Sequence, residues 1–199
     1  MREVVKRLVR GIAFVVVLPM IVSFEIRSRL MGRNRALEGS TQALAVVPGV
    51  LGQFVRRAFL SWALAYCAPS ATIEFGTIFS QAGARIDAYA YVGPRCHLGL
   101  VHIEREVLVA AGVHIPSGGA THGIDDPDRP IRDQPGQRTR VRVGQGAWIG
   151  SNAVVLADVG AHSVIGAGAV VTQPIPDYVI AAGVPAKVIR SRRTESVGA

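Results

Sequence analysis

Cysteine, aromatic side chains and acidic residues are all scarce in this chain of 199 residues. Its two cysteines, Cys67 and Cys96, are too few for a disulfide framework or a cysteine-rich zinc site, so neither explains the fold. Aromatic residues make up only 6% while 22 residues are glycine, so the core must be built from small and β-branched side chains. An apolar content of 49% excludes a disordered or low-complexity chain. The 14 acids fall short of the 22 Lys and Arg, which leaves a formal charge of +8. That excess is uneven. Residues 1–40 carry eight bases and three acids, hence +5 of the total. These bases stand beside an apolar run and not among aromatics, which argues against a nucleic-acid partner.

The apolar run is Ile12 to Phe24 (IAFVVVLPMIVSF), 13 residues without a charge. As a helix it reaches about 20 Å, short of the roughly 30 Å of a bilayer core. Pro19 removes a backbone donor inside it. Lys6, Arg7 and Arg10 precede the run, and Arg27, Arg29, Arg33 and Arg35 follow it. A spanning helix normally gathers its bases on the cytoplasmic side, so clusters at both ends suit one anionic membrane face. The expectation is a peripheral or re-entrant anchor on the cytoplasmic side of the cell membrane. A buried or oligomer-packing helix competes with it, as does a signal sequence or a true span. Phe54 to Cys67 reads as a second helix, with Arg56 and Arg57 as a basic spot on an apolar surface; it either lies at the membrane too or, the favoured reading, caps the core beside it.

From Ile73 onward aliphatic residues recur every six positions, commonly followed by a small residue. The register runs Val143, Ile149, Val155, then after a slip Val159, Ile165, Val171. Upstream, Ile86, Val92 and Leu98 keep the step, as do Ile103, Val109 and Ile115. Neither a helical period nor strand alternation sustains a six-residue step. Such a period describes a solenoid in which each hexad is one flat side and three hexads close a triangular coil. Glycine after the aliphatic residue is expected to supply the corner, where a permissive φ is needed.

These residues carry a resemblance. Trp148-Ile149-Gly150-Ser151, Ile165-Gly166-Ala167-Gly168-Ala169-Val170-Val171-Thr172 and Ala182-Gly183-Val184-Pro185-Ala186-Lys187-Val188-Ile189-Arg190 resemble the hexapeptide-repeat acyltransferases. The likeness covers about residues 73–190. It is nearest to the maltose and galactoside O-acetyltransferases and to the membrane-associated ones of polysaccharide biosynthesis. It implies a mainly β fold, a left-handed parallel β-helix, assembled as a homotrimer. The expected organisation is a helical, membrane-associated segment at 1–70, a β-helix at 71–190 with an extruded loop at 116–142, and a flexible tail at 191–199.

The hexad rhythm breaks for long only between Ile115 and Val143, in a polar stretch rich in Gly, Pro, Asp and Arg. Long loops in compact solenoids are usually functional. This one holds a single histidine, His122, after Thr121. Acetyl transfer from a thioester to a hydroxyl needs a base that titrates near neutrality, which histidine supplies. In the resembling enzymes a Thr-His in the same loop provides the general base. An exposed histidine without a role is the alternative. His97 and His114, 17 residues apart, fall one coil apart and should stack on an outward corner. They either line the acceptor pocket or form a solvated pair. His102 and His162 read as surface residues. His97-x4-His102 echoes one spacing of the γ-class carbonic anhydrases, which share the fold, but no third ligand stands at a fitting position and no metal is expected.

The resemblance also implies acetyl-CoA as donor, with Trp148, Ser151, Ala167, Thr172, Lys187 and Arg190 as its contacts. Lys187 and Arg190 suit its phosphates. Gln173 stands where many relatives have Lys, which removes one charge. The acid that small-sugar enzymes place before the second upstream coil is replaced by Gly99-Leu100-Val101. The expected function is therefore O-acetylation of a polysaccharide or lipid-linked glycan precursor. A small soluble acceptor, or a non-catalytic scaffold in a membrane biosynthetic complex, are the alternatives.

Overall fold

A computed structural model describes residues 2–193, so most of the expected tail lies outside the described residues. The hexads fold into a parallel β-solenoid of five three-sided coils and an incomplete sixth. The first coil is β1 (Tyr66–Cys67), β2 (Thr72–Ile73) and β3 (Ile78–Phe79); the second is β4 (Arg85–Ile86), β5 (Tyr91–Val92) and β6 (His97–Leu98). The third is β7 (Val101–Ile103), β8 (Leu108–Val109) and β9 (His114–Ile115). The fourth, after the long loop, is β10 (Val141–Val143), β11 (Trp148–Ile149) and β12 (Val154–Val155). The fifth holds β13 (Val164–Ile165) and β14 (Val170–Val171), and the sixth β15 (Val179–Ala182). Val159 and Ile175 continue the first side as single bridges. The chain then reverses, and β16 (Lys187–Ser191) runs antiparallel to β15.

Each strand stacks in register on its counterpart in the next coil, so the hexad aliphatics form one column. Ile73, Val92, Val109, Ile149 and Ile165 are all fully buried in it. Burying such side chains stabilises the fold by roughly 1.5–3 kcal/mol each. The glycines that follow these aliphatics have another reason than the expected φ. Gly150 keeps an ordinary φ, but a Cβ there would stand 2.5 Å from the Ala167 nitrogen of the next coil. The left-handed residue comes two places later, as Asn152 (φ 58°) in this hexad and Gly168 (φ 67°) in the next coil. Close stacking selects the glycine, and the turn itself is made elsewhere.

Three helices cover the open end of the first coil: α1 (Arg2–Met31), α2 (Arg33–Ala45) and α3 (Gly49–Ala63). The expected second helix ends earlier than Cys67, and the solenoid begins at Tyr66, ahead of residue 71. An exposed first coil leaves backbone groups unpaired, which attracts further strands. Side chains of α2 and α3 take that place. The Thr41 hydroxyl accepts from the Phe79 N–H at 3.2 Å, and Arg57 donates to the Ala71 carbonyl at 3.2 Å. Arg56 is not the surface base the sequence suggested. It is 2% exposed and donates to the carbonyls of Ile73, Leu44 and Val47 at 3.0, 3.2 and 2.6 Å. Burial pulls its pKa below the usual arginine value, with Glu74 opposing.

The N-terminal helix extends well beyond the apolar run. α1 is one helix of 30 residues that passes through Pro19, about 45 Å at 1.5 Å per residue. The lost hydrogen bond is outweighed by packing, because Ala13, Val17, Ile21 and Phe24 fall on one buried face against α2 and α3. Its stretch Leu8–Met31 is long and apolar enough to cross a membrane, and little of it is buried within the chain. The remaining surface is apolar too: Leu8, Ile12, Val15, Val16, Val22, Ile26 and Leu30 are each more than half exposed.

Candidate active site

The three faces of the solenoid carry different chemistry outward. On the first face, Arg142 grips the Glu104 carboxylate at 2.6 and 3.1 Å, and His102 meets Asp87 at 2.9 Å. Partial burial works against the Glu104 carboxylate, but the hydrogen bonds from Arg142 and the Gln145 N–H outweigh it and hold its pKa below the usual range. The second face is an apolar row of Tyr91, Leu108, Trp148, Val164 and Ile180, aligned strand by strand. The third face carries the histidines.

His97 on β6 pairs in register with His114 on β9, and their rings meet edge to face at 5.8 Å. The 17-residue step is thus one coil, though both residues sit on a flat strand face and not at a corner. Burial lowers the His97 pKa, the neighbouring His114 lowers it further, and Glu38 of α2 pulls the other way. The ring is therefore held neutral at neutral pH, as a hydrogen-bonding group and not a cation.

The loop turns back over this face. Its return is anchored by the Thr139 N–H on the Ser117 carbonyl (2.9 Å) and the Gln137 N–H on the Ala120 carbonyl (2.7 Å). Gln134, 8% exposed, braces the loop interior by donating to the carbonyls of Asp126 and Arg129, both at 2.8 Å. Gly136 is required because a Cβ would lie 2.1 Å from the Thr121 carbonyl oxygen. The two limbs of the loop thus press together beside His122, and hold it exposed at the edge of a cleft.

That cleft, of about 680 Å³, gathers His122, His97 and His114 on its solenoid side. Ser80, Gly99 and Pro116 form its floor, each following an inward residue of β3, β6 or β9. The opposite wall is the junction of α1 and α2, from Met31 to Arg35, together with Glu38, and Arg138 closes it from the loop. Asn34 fixes that wall to the first coil through Gln81 (2.9 Å) and the Ala82 N–H (2.9 Å). Sequence reasoning missed the helical wall, since nothing in the sequence links residues 31–38 to a loop some 80 positions away. Ser80 was findable, because it repeats the register of Gly99 and Pro116.

The residues assigned to the donor lie apart from this cleft. Trp148 points outward from the second face, half exposed. Ser151 and Ala167 share one corner on successive coils, where the Gly168 N–H donates to the Ser151 carbonyl at 2.8 Å. Thr172 follows β14 at another corner, and Lys187 and Arg190 are exposed on β16. Within one chain the structure does not bring them to His122. Cys96 offers no nucleophile: burial pushes its thiol up to about 11. Among the described residues, no group of three or more His, Cys, Asp or Glu is placed to hold a metal ion.

The described residues thus form a parallel solenoid of stacked hexads with one extruded loop that carries His122. Residues 140–173 match the bacterial transferase hexapeptide family (six repeats), and the chain carries that repeat domain. It is 30% identical over 128 residues to WbbJ of Escherichia coli, named for O-acetyl transfer in lipopolysaccharide biosynthesis, covering 61% of this chain and 64% of that one. It is 52% identical over 52 residues to the galactoside O-acetyltransferase of Escherichia coli, covering 25% of this chain and 26% of the relative. The chain therefore spans less than two thirds of either relative. In fold it is similar to a galactoside acetyltransferase solved in complex with coenzyme A, with a TM-score of 0.60, 23% identity, and 81% and 80% of the two chains covered.

Proposed function

We propose that this chain is an acetyl-CoA-dependent O-acetyltransferase that acts on a sugar hydroxyl of a polysaccharide or lipid-linked glycan precursor. The observation that carries this reading is the convergence of His122, His97 and His114 on one cleft under the loop. His122 takes the proton of the sugar hydroxyl as its oxygen attacks the thioester carbonyl. The oxygen–carbon bond forms, the carbon–sulfur bond breaks, and His122 returns its proton to the departing thiolate. Backbone N–H groups of a coil stabilise the oxyanion. His97, held neutral, and His114 orient the acceptor. No covalent enzyme intermediate or metal is needed.

The relatives named for O-acetyl transfer, and the coenzyme A complex of a structural neighbour, support the donor. In this reading Ser151, Ala167, Thr172, Lys187 and Arg190 hold coenzyme A, with Trp148 beside it. They reach a histidine cleft only across a subunit boundary, so the working unit is an oligomer, which we take as a homotrimer. The apolar second face gives such an assembly a surface to bury. The apolar outer surface of α1 supports attachment to the membrane, on its cytoplasmic side where acetyl-CoA is made.

The test is labelled acetyl-CoA incubated with the purified protein and a membrane extract, with wild type and His122→Ala in parallel. Label entering a lipid-linked or polymeric glycan with the wild type alone is the expected result. Transfer only to small soluble compounds removes the glycan acceptor, and equal transfer by both proteins removes His122.

A further inference from the structure

The cleft has a second chemistry that the transfer reaction does not use. Of its arginines, Arg33 is occupied: it pairs with Glu25 at 3.3 Å, donates to the Trp62 carbonyl and stacks on Phe24. Arg35, on the first turn of α2, and Arg138, on the returning limb of the loop, are exposed. Neither has a hydrogen-bond or ion-pair partner among the described residues. They belong to different elements and are brought to one opening only by the fold. Glu38 lies one turn after Arg35 on α2 and exerts its charge on His97, so the acid serves the histidine side of the cleft. The first turn of α2 adds no acidic residue and no side-chain cap to compete with the arginines.

We infer that Arg35 and Arg138 form an anion subsite that holds a phosphate attached to the acceptor sugar, so the acceptor is a glycosyl phosphate or diphosphate and not a neutral glycan. This rests on the transferase reading above. Guanidinium groups match phosphate oxygens in paired hydrogen bonds, which a neutral sugar does not require. The cleft volume lies within the range of small-molecule sites and exceeds what a catalytic histidine alone needs. Position matters as well. Met31, the last residue of α1, lines the cleft, and the exposed Leu30 and Ile26 continue from it along the apolar helix. A phosphate at the two arginines thus leaves the sugar toward the histidines and its carrier toward α1. A lipid carrier would lie along that surface, whereas a nucleoside would extend into solvent; both present the same diphosphate.

Two measurements test this on the full chain in detergent micelles. The first is equilibrium dialysis of labelled inorganic pyrophosphate at low salt, with excess coenzyme A to occupy the donor site. Binding to wild type that weakens tenfold or more in the Arg35→Gln/Arg138→Gln double variant supports the subsite. Arg132→Gln, a loop arginine outside the cleft, should bind as wild type does. Equal binding by wild type and double variant, or none by either, overturns the proposal. The second is the KM for glucose 1-phosphate against that for a neutral alkyl glucoside. The double variant should raise the first tenfold or more with kcat within twofold, and leave the second unchanged. A parallel rise in both overturns it. A polyprenyl diphosphate sugar in phosphatidylcholine vesicles against a uridine diphosphate sugar then separates the two carriers. If arginine-dependent pyrophosphate binding persists while no acceptor is ever acetylated, the transferase reading falls and the anion subsite stands.

Discussion

The solenoid and the helical layer solve the same problem of burial by opposite means. In the solenoid every core residue repeats the one a coil earlier, so each coil supplies both the side chain and the backbone partners of the next. In the helical layer nothing repeats. Arg56, Arg57, Thr41 and Asn34 replace the missing neighbour of the first coil, each through a contact of its own. The regular part therefore draws on one continuous column, while the irregular part depends on individual contacts. The cleft lies where the two meet, with His97 and His114 from the repeat, Arg33 and Arg35 from the helices, and His122 and Arg138 from the loop between them.

The largest effect expected is functional and leaves both regions folded. His122→Ala should lower kcat for acetyl transfer by about 10²- to 10⁴-fold, with an unchanged melting transition, as coenzyme A release and circular dichroism would report. A stable variant with full activity would remove the loop from the chemistry. Next, Ile149→Ala opens a cavity in the middle of the column and should cost about 2–5 kcal/mol in denaturant unfolding. Arg56→Met keeps the bulk but takes this donor from the carbonyls of Leu44, Val47 and Ile73; a loss of about 3 kcal/mol is expected from unsatisfied buried acceptors. If Arg56→Met proves neutral, the contrast drawn between the two regions is wrong, since packing alone would then cap the first coil.

A smaller effect concerns pH. Because the folded state holds the His97 pKa below that of the unfolded chain, the unfolded chain binds the proton first as pH falls. Stability should therefore decline as pH drops through and below the ordinary histidine range, and His97→Gln should flatten that slope in a titration of melting temperature. The smallest effect belongs to the first face. Arg142→Ala removes an exposed pair with Glu104 and should change stability by at most about 1 kcal/mol. A larger loss would show that this face is covered in the assembly.

How much could be read in advance follows from the same contrast. The positions of Val143, Ile149 and Val155, and the coil spacing of His97 and His114, are legible because a repeat makes distance along the chain equal to distance in space. The continuity of α1 through Pro19 is not, since it depends on α2 and α3 packing on Ala13, Val17, Ile21 and Phe24. Arg56 looked like a surface base for the same reason. Its partners are carbonyls, which no sequence pattern displays.

The sequence by itself determined the six-residue period, the aliphatic column, the single long interruption and the histidine within it, because these are local and periodic. Only the tertiary structure decided that the glycines serve close stacking, that Trp148 stands half exposed in the row of the second face, and that Arg35 and Glu38 complete the histidine cleft. Those outcomes depend on which surfaces come within van der Waals or hydrogen-bonding reach when the coils stack and the helices close their open end.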